Sequence, residues 1–237
     1  MKRRYLSKGL FISFEGGEGS GKTTQINRLS DYLTKEGYSV LTTREPGGTP
    51  EGEAIRNVLV QREGGNWLPM SEVLLLYAAR HMHVEKVIKP ALTKGKIVIS
   101  DRFADSTLAY QGYGHGLHHD SIRAVDALIM GAFKPDLTYI LDIDVKTGLA
   151  RSNKQLATQK GYEKTEDRFE LMEKRFHERL RQGFLNIAKL DTARCRVINA
   201  NQDIDILSDL IKESVLRALK KQSVVEEFAT SPEKAKE

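Results

Sequence analysis

Residues 16–23 read Gly-Gly-Glu-Gly-Ser-Gly-Lys-Thr, and few stretches of eight residues restrict a fold so tightly. The pattern G-x-x-x-x-G-K-[ST] is a loop whose backbone N–H groups turn inward around phosphate oxygens. Its glycines permit the turns, and the helix that follows adds partial positive charge at its N-terminus. The loop needs an apolar strand before it and a helix after it. Leu10–Glu15 reads as that strand and Lys22–Glu36 as that helix, with Gly37 at the C-cap position. The expected ligands of a nucleoside triphosphate are Gly16, Gly17, Glu18, Gly19, Ser20, Gly21, Lys22 and Thr23. Lys22 would reach the β- and γ-phosphates, and Thr23 would offer its hydroxyl to Mg²⁺.

Lys96–Asp101 carries a second nucleotide feature, an apolar strand closing on a carboxylate. At the carboxyl end of its strand, Asp101 would stand beside the phosphate loop and join Thr23 as a metal ligand. Strand-like and helix-like segments alternate through the rest of the chain, without a repeat. Strands are expected at Tyr38–Thr43, Lys96–Ser100, Asp136–Asp142 and Cys195–Asn199. Thr49 and Pro50 read as an N-cap and first-turn proline, opening a helix to about Leu59. A long helix is expected over about Ser71–Lys94, from the stripe Val73, Tyr77, Val84, Val87, Ile88 and Ala91, with Gly95 ending it. Further helices are expected at about Asp105–Tyr110, Asp120–Gly131, Val145–Asn153, Asp167–Leu190 and Ile204–Lys220. The expected fold is α/β in three layers: a doubly wound, five-stranded parallel sheet with helices on both faces, in one phosphate-loop domain spanning residues 1–237. A mobile lid is expected over about 151–168. Residues 222–237 are polar enough to fray, and Met1–Arg4 read as a frayed start.

Composition narrows the classes. With 40% hydrophobic and 29% charged residues, the chain falls outside the disordered, collagenous and low-complexity classes. No stretch reaches roughly 18 uncharged apolar residues, so no membrane span is expected. The N-terminal apolar run is broken by Glu15 and has no small-residue cleavage site, so it reads as a strand and not as a signal peptide. A single cysteine, Cys195, excludes an internal disulfide and fits a reducing cytoplasm. The balance of 37 Lys plus Arg against 32 Asp plus Glu leaves +5, with the two signs interspersed. No nucleic-acid partner is expected, and the surplus suits a phosphate-rich small molecule better.

A phosphate loop alone does not separate a switch GTPase from a kinase. The guanine-reading Asn-Lys-x-Asp segment is absent from the sequence. Arginines stand instead near strand ends and helix starts: Arg44 in TREPGG, Arg80 in YAAR and Arg102 in SDRF. Arg44 and Arg102 each follow a strand and should reach the crevice above the sheet, where two guanidinium forks suit a phosphate monoester.

With these residues set out, the chain resembles a bacterial thymidylate kinase of the nucleoside monophosphate kinase family. The landmarks run in order over nearly the whole length: FEGGEGSGKTT, TREPGGT, LLLYAAR, SDRFADSTLAYQG, PDLTYILD and DRFE. The resemblance implies transfer of the γ-phosphoryl group of ATP to dTMP, giving dTDP and ADP with Mg²⁺ on the route to dTTP. It also implies a homodimer. Arg44 and Arg102 would hold the dTMP phosphate and Arg80 the thymine edge. Thr107 and Gln111 would line the base pocket. Tyr110 would pack on the sugar and leave no room for a 2′-hydroxyl. Glu18 would stand near the acceptor sugar and phosphate. Relatives stack an aromatic ring on thymine at or near the position of Leu76, so Tyr77 or another ring substitutes here.

Phosphoryl transfer depends on alignment and charge neutralisation, and the ionised acceptor needs no strong base. In relatives whose phosphate loop lacks arginine, as here, the lid supplies one. This chain departs from that pattern: Lys154, Lys160 and Lys164, but no arginine, stand between Arg151 and Arg168. Lysine cannot form the bidentate fork, so Arg151 and Arg168 are expected to join Lys22, Arg102 and Glu18 as the catalytic set. A simply solvated loop remains open. His115, His118 and His119 read as loop histidines and not as a metal site. Three other functions stay open: a kinase for another nucleotide, a nucleotide-dependent switch and a nucleic-acid binder.

Overall fold

A computed structural model describes residues 2–61, 65–158, 172–222 and 224–228. Five parallel strands form the central sheet: β2 (Leu10–Glu15), β3 (Val40–Arg44), β4 (Ile97–Asp101), β5 (Leu137–Asp142) and β6 (Cys195–Asn199), in the order β3-β4-β2-β5-β6. The chain leaves β2 in one direction to β3, returns through β4, and crosses β2 to reach β5. That reversal opens a crevice at the carboxyl edge of the sheet, above β2. The expected doubly wound architecture is therefore present.

Alternate residues of β2 divide the core. Leu10, Ile12 and Phe14 pack with Ile26, Leu29 and Leu33 of α1 (Lys22–Lys35), and with Leu207, Ile211, Val215 and Leu219 of α9 (Ile204–Leu219). Phe11 faces the other way, among Val73, Tyr77, Ile88, Phe103 and Ile122. Those residues come from α3 (Pro69–His83), the segment Val84–Ile88, the turn after β4, and α6 (His119–Met130). A third cluster joins Ile140 and Cys195 to α8 (Lys174–Leu190). The three central strands β2, β4 and β5 are buried on both faces because helices cover both.

Local signals set most boundaries. Thr49 caps α2 (Pro50–Val60), accepting the Gly52 N–H at 3.0 Å, with Pro50 in the first turn. Gly37 and Gly95 adopt φ of 90° and 68°, the left-handed terminations expected of them. The long helix expected over 71–94 is continuous, but it widens to π geometry over Val84–Ile88 before α4 (Lys89–Thr93). Pro90 has no N–H for the regular ladder, and the wide turn precedes it. A second wide turn, Leu108–Gly114, extends α5 (Ala104–Thr107).

Three expectations need correction. Val145–Thr158 is one helix, α7, so residues 154–158 are not the loop expected there. Helix α8 begins at Lys174, later than the expected Asp167, and residues 172–173 are not helical. The chain ends are not simply frayed. Lys2–Leu6 (β1) pairs antiparallel with Val224–Phe228 (β7), setting Arg3 opposite Glu227 and Arg4 opposite Glu226. Nothing local announces a partner at the other end of the chain. The lid expected at 151–168 lies largely outside the described residues, as do Lys160, Lys164 and Arg168.

Candidate active site

The sheet register brings three strand ends together. Arg44 of β3 pairs with Asp101 of β4, and Asp101 with Phe14 of β2. The next residues of β3 and β4, Glu45 and Arg102, therefore leave the sheet side by side, next to Glu15 at the last paired position of β2. Two backbone bonds hold them there: Glu45 N–H to Asp101 O at 2.9 Å and Arg102 N–H to Phe14 O at 2.9 Å.

The phosphate loop follows Glu15 and is closely seated. Gly16, Gly19 and Gly21 have φ of 132°, 64° and 87°. A Cβ on Gly19 would lie 2.0 Å from the Gly148 carbonyl of α7, so only glycine fits there. Ser20 closes the turn by donating to Gly17 O at 2.9 Å. Lys22 folds back over the loop and donates to Gly16 O at 3.2 Å and Gly17 O at 3.0 Å. Burial, then the Arg102 charge, push its ammonium below the usual lysine range. Thr23 donates to Asp101 Oδ2 at 3.2 Å, so the two expected metal ligands present hard oxygens side by side. A groove of about 900 Å³ runs from the loop past Asp101 and Arg102 to Arg44 and Arg56.

Arg102 stands between this groove and a second cavity. Its φ of 68° is left-handed, unusual for a side-chain-bearing residue. Its Nη1 donates to Gly16 O at 3.1 Å and Ser106 Oγ at 3.2 Å, and its Nη2 to Glu18 at 2.8 Å. The Tyr110 hydroxyl donates to the same Glu18 oxygen. Burial opposes ionisation of Glu18, but Arg102 and Lys22 prevail and hold its carboxyl at about 2. Beneath Arg102, Glu15 is fully buried and bonded to Phe103 N–H at 2.7 Å and to the Ser106 hydroxyl at 2.5 Å.

The second cavity, of about 150 Å³, brings together Glu18, Leu76, Arg80, Arg102, Thr107, Tyr110 and Gln111 from the expected set. Arg80 and Gln111 are each 2% exposed. Gln111 Nε2 donates to Glu72 at 2.9 Å, and its Oε1 has no partner. Arg80 donates from Nη2 to Thr107 at 2.9 Å, and its buried Nη1 also has no partner. An orphaned buried donor or acceptor costs about 1–3 kcal/mol, so a ligand that satisfies both would recover that energy.

Other expected residues stand apart. Tyr77 is a core residue under the Arg80 guanidinium, 4.5 Å from it, with its hydroxyl on Asp126 at 2.9 Å. It is not on the cavity wall. Besides Tyr110, the ring that lines the cavity is Phe103, which the sequence reading missed. Arg44, on the groove, pairs with Glu53 at 2.9 Å. Arg151 of α7 donates to Ala200 O at 3.0 Å. Arg168 lies outside the described residues. Reading also passed over Arg56, which lines both cavities, and over Glu15 and Glu45. The available signal was a carboxylate inside an otherwise apolar strand end (LFISFE) and another flanked by Arg44 and Pro46. Among the described residues, no group of three His, Cys, Asp or Glu side chains is placed to hold a metal ion.

Comparison with known proteins places this geometry. The family model for thymidylate kinase matches residues 14–211. A thymidylate kinase of Caulobacter vibrioides is 45% identical over 214 residues, covering 90% of this chain and 99% of that protein. One from Bartonella quintana is 46% identical, covering 86% of this chain and 94% of its own length. The crystal structure of thymidylate kinase from Ehrlichia chaffeensis superposes with a TM-score of 0.68 at 37% identity, covering 90% of this chain and 99% of that one. Strands β1 and β7 both lie outside the span matched by the family model. With the family model, these relatives and the solved structure in agreement, the chain belongs to the thymidylate kinase family of enzymes, which phosphorylate dTMP to dTDP.

Proposed function

We propose that this chain transfers the γ-phosphoryl group of ATP to dTMP, with ATP on the phosphate loop and groove and dTMP in the cavity bounded by Arg80 and Arg102. One observation carries the acceptor assignment. The cavity contains one buried donor, Arg80 Nη1, and one buried acceptor, Gln111 Oε1, without protein partners. Thymine offers a carbonyl beside an N–H on one edge, which matches that pair. Phe103 and Leu76 supply the apolar walls, and Tyr110 closes the sugar end over Glu18.

An oxygen of the dTMP phosphate attacks the γ-phosphorus, the bond to the β–γ bridging oxygen breaks, and its electron pair leaves with ADP. Arg102 aligns the acceptor phosphate, and its Nη1 edge is already fixed by Gly16 and Ser106. Arg44 adds a second fork from the groove, and Lys22 offsets charge at the β- and γ-phosphates. Thr23 and Asp101 fit Mg²⁺, which when bound neutralises phosphate charge. Arg151 and Arg168 supply the remaining cation from the lid side.

We further read residues 1–237 as one domain that forms a homodimer in the cytoplasm. Leu74 of α3 and Leu128 of α6 are 54% and 84% exposed, and an apolar helix face of that kind suits a subunit contact. No described helix is long and apolar enough to cross a membrane. The test is ADP release from Mg-ATP across dTMP, dUMP, dCMP, dGMP, UMP and thymidine. Stimulation by dTMP well above the rest is expected. A different leading monophosphate overturns the thymine assignment, and turnover indifferent to every acceptor overturns the kinase reading.

A further inference from the structure

Arg80 is held on four sides. Nε donates to Glu45 Oε2 at 2.7 Å and Nη2 to Thr107 Oγ1 at 2.9 Å. The guanidinium carbon lies 4.5 Å from the Tyr77 ring centroid and 5.2 Å from that of Phe103. Nη1 alone is left over. Glu45 is itself held, by a residue outside the cavity. His83 Nδ1 lies 3.0 Å from Glu45 Oε1, and His83 Nε2 lies 2.6 Å from Thr43 Oγ1. A carboxylate only accepts, so Nδ1 carries a proton. In the neutral ring Nε2 then accepts from the Thr43 hydroxyl. The bonds run from Thr43 to His83 to Glu45, and Glu45 receives Arg80 on its other oxygen. His83 is 0% and Glu45 4% exposed, so the bonds Glu45 makes to His83 and Arg80 act away from water, where they are strong and a missing partner is costly, while Thr43 closes the chain from a half-buried position at the groove. The seat of the imidazole is shaped on its open side by Gly48, where a Cβ would lie 2.4 Å from His83 Cδ2 and Nε2.

We propose that Thr43, His83 and Glu45 form a relay that sets base specificity by holding Arg80 so that Nη1 alone meets the base. The inference rests on the dTMP reading above and deepens it. A donor fixed at one point favours a pyrimidine that offers a carbonyl there, as thymine and uracil do. It disfavours cytosine, whose amino group would meet it donor to donor. A guanidinium released from Glu45 could tilt and meet either base. Thr43 and His83 are positioning residues in this scheme, acting through Arg80 and not by touching the substrate.

His83→Leu and Thr43→Val test the relay, with dTMP and dCMP as paired acceptors. The KM for dTMP is expected to rise about tenfold in H83L and about threefold in T43V, with kcat changed by less than about twofold. The KM for dCMP and that for ATP should stay at their wild-type values, so the dTMP-to-dCMP ratio of kcat/KM falls by the same factors. In an Arg80→Gln background, H83L should change the ratio no further, because the relay then has nothing to position. A cluster that only stabilises the fold predicts a lower melting temperature and an unchanged ratio, and that result overturns the proposal. Should H83L not fold, T43V decides alone by the same ratio. Failure of the parent reading looks different: the wild-type enzyme would then not prefer dTMP at all.

Discussion

Around the acceptor cavity, Arg80, Thr107 and Gln111 are each 2% exposed and bonded to other buried side chains. Across the phosphate loop the picture changes. Thr23 and Arg151 are exposed, and the Arg44 side chain is 54% exposed. The charged groups on that side rest on partners that a nucleotide can replace: Lys22 on its own loop's carbonyls, Thr23 on Asp101, Arg44 on Glu53. On the proposed assignment, the acceptor side is set before a ligand arrives, whereas the donor side is left for the ligand to complete. The division suits a kinase that must recognise one base closely yet admit and release a triphosphate at each turnover.

The sharpest way to break this contrast is through Arg102, which belongs to both sides. Its Nη1 is fixed to Gly16 and Ser106, and its Nη2 faces Glu18 and, by assignment, the acceptor phosphate. Arg102→Ala should lower kcat/KM for dTMP on the order of 10³-fold. Affinity for thymidine, which has no phosphate, should stay within about twofold when measured by calorimetry. A comparable loss for thymidine would mean that Arg102 shapes the base cavity and does not grip phosphate.

The lid-side arginines test the donor half alone. Replacing Arg151 or Arg168 by Ala should lower kcat roughly 10²-fold in at least one variant, with the equilibrium affinity for dTMP unchanged. Full turnover in both variants would leave Lys22, Arg44 and Arg102 to supply the cations needed from this chain. Arg151 Nη1 rests on Ala200 O at 3.0 Å, a backbone partner that a phosphate can replace.

The sequence was a better guide to the donor side than to the acceptor side. A phosphate loop is local: strand, glycines, lysine and helix are contiguous, and the spacing alone dictates backbone geometry. Strands β2 and β6 follow the boundaries read from their apolar runs. Arg44 and Arg102 were legible because each follows a strand, and the register does bring both strand ends to one edge. The acceptor side depends on pairings that no local pattern encodes. Glu45 meets His83 and Arg80, and Gln111 meets Glu72, only because three separate segments (the turn after β3, α3 and Leu108–Gly114) pack at one corner of the sheet. Tyr77 shows the limit of helical spacing. It lies three residues before Arg80, one turn back on the same helical face, and its ring sits against the guanidinium. That face points into the core, which periodicity alone cannot distinguish from a binding wall. The pairing of β1 with β7 was illegible for the same reason, since its two halves lie at opposite ends of the chain.

The smallest expected effect concerns what supports the acceptor side from below. Glu15 and Glu18 flank the start of the phosphate loop, and their surroundings drive them in opposite directions. Glu15 is raised to about 8, first by burial and then by the charge of Asp105, against the hydrogen bond from Ser106 and the charge of Arg102. Glu18 is held at about 2 because Arg102 and Lys22 outweigh its burial. The consequences for stability differ in sign. Between pH 4.5 and about 8, folded Glu15 keeps a proton that the unfolded chain has released. Stability therefore falls as pH rises through that window, by up to about 1.4 kcal/mol per pH unit, and levels off above it. Glu18 stabilises the fold above pH 4.5, and its contribution disappears as pH falls toward about 2. Chemical denaturation of Glu15→Gln from pH 5 to 8 should show a shallower decline than wild type, with the gap between the two widening in the variant's favour as pH rises. Parallel curves would mean that Glu15 is ionised in the folded state throughout. Arg102 would then rest on a second buried carboxylate beside Glu18, and the acceptor side would owe its rigidity to paired charge as much as to packing.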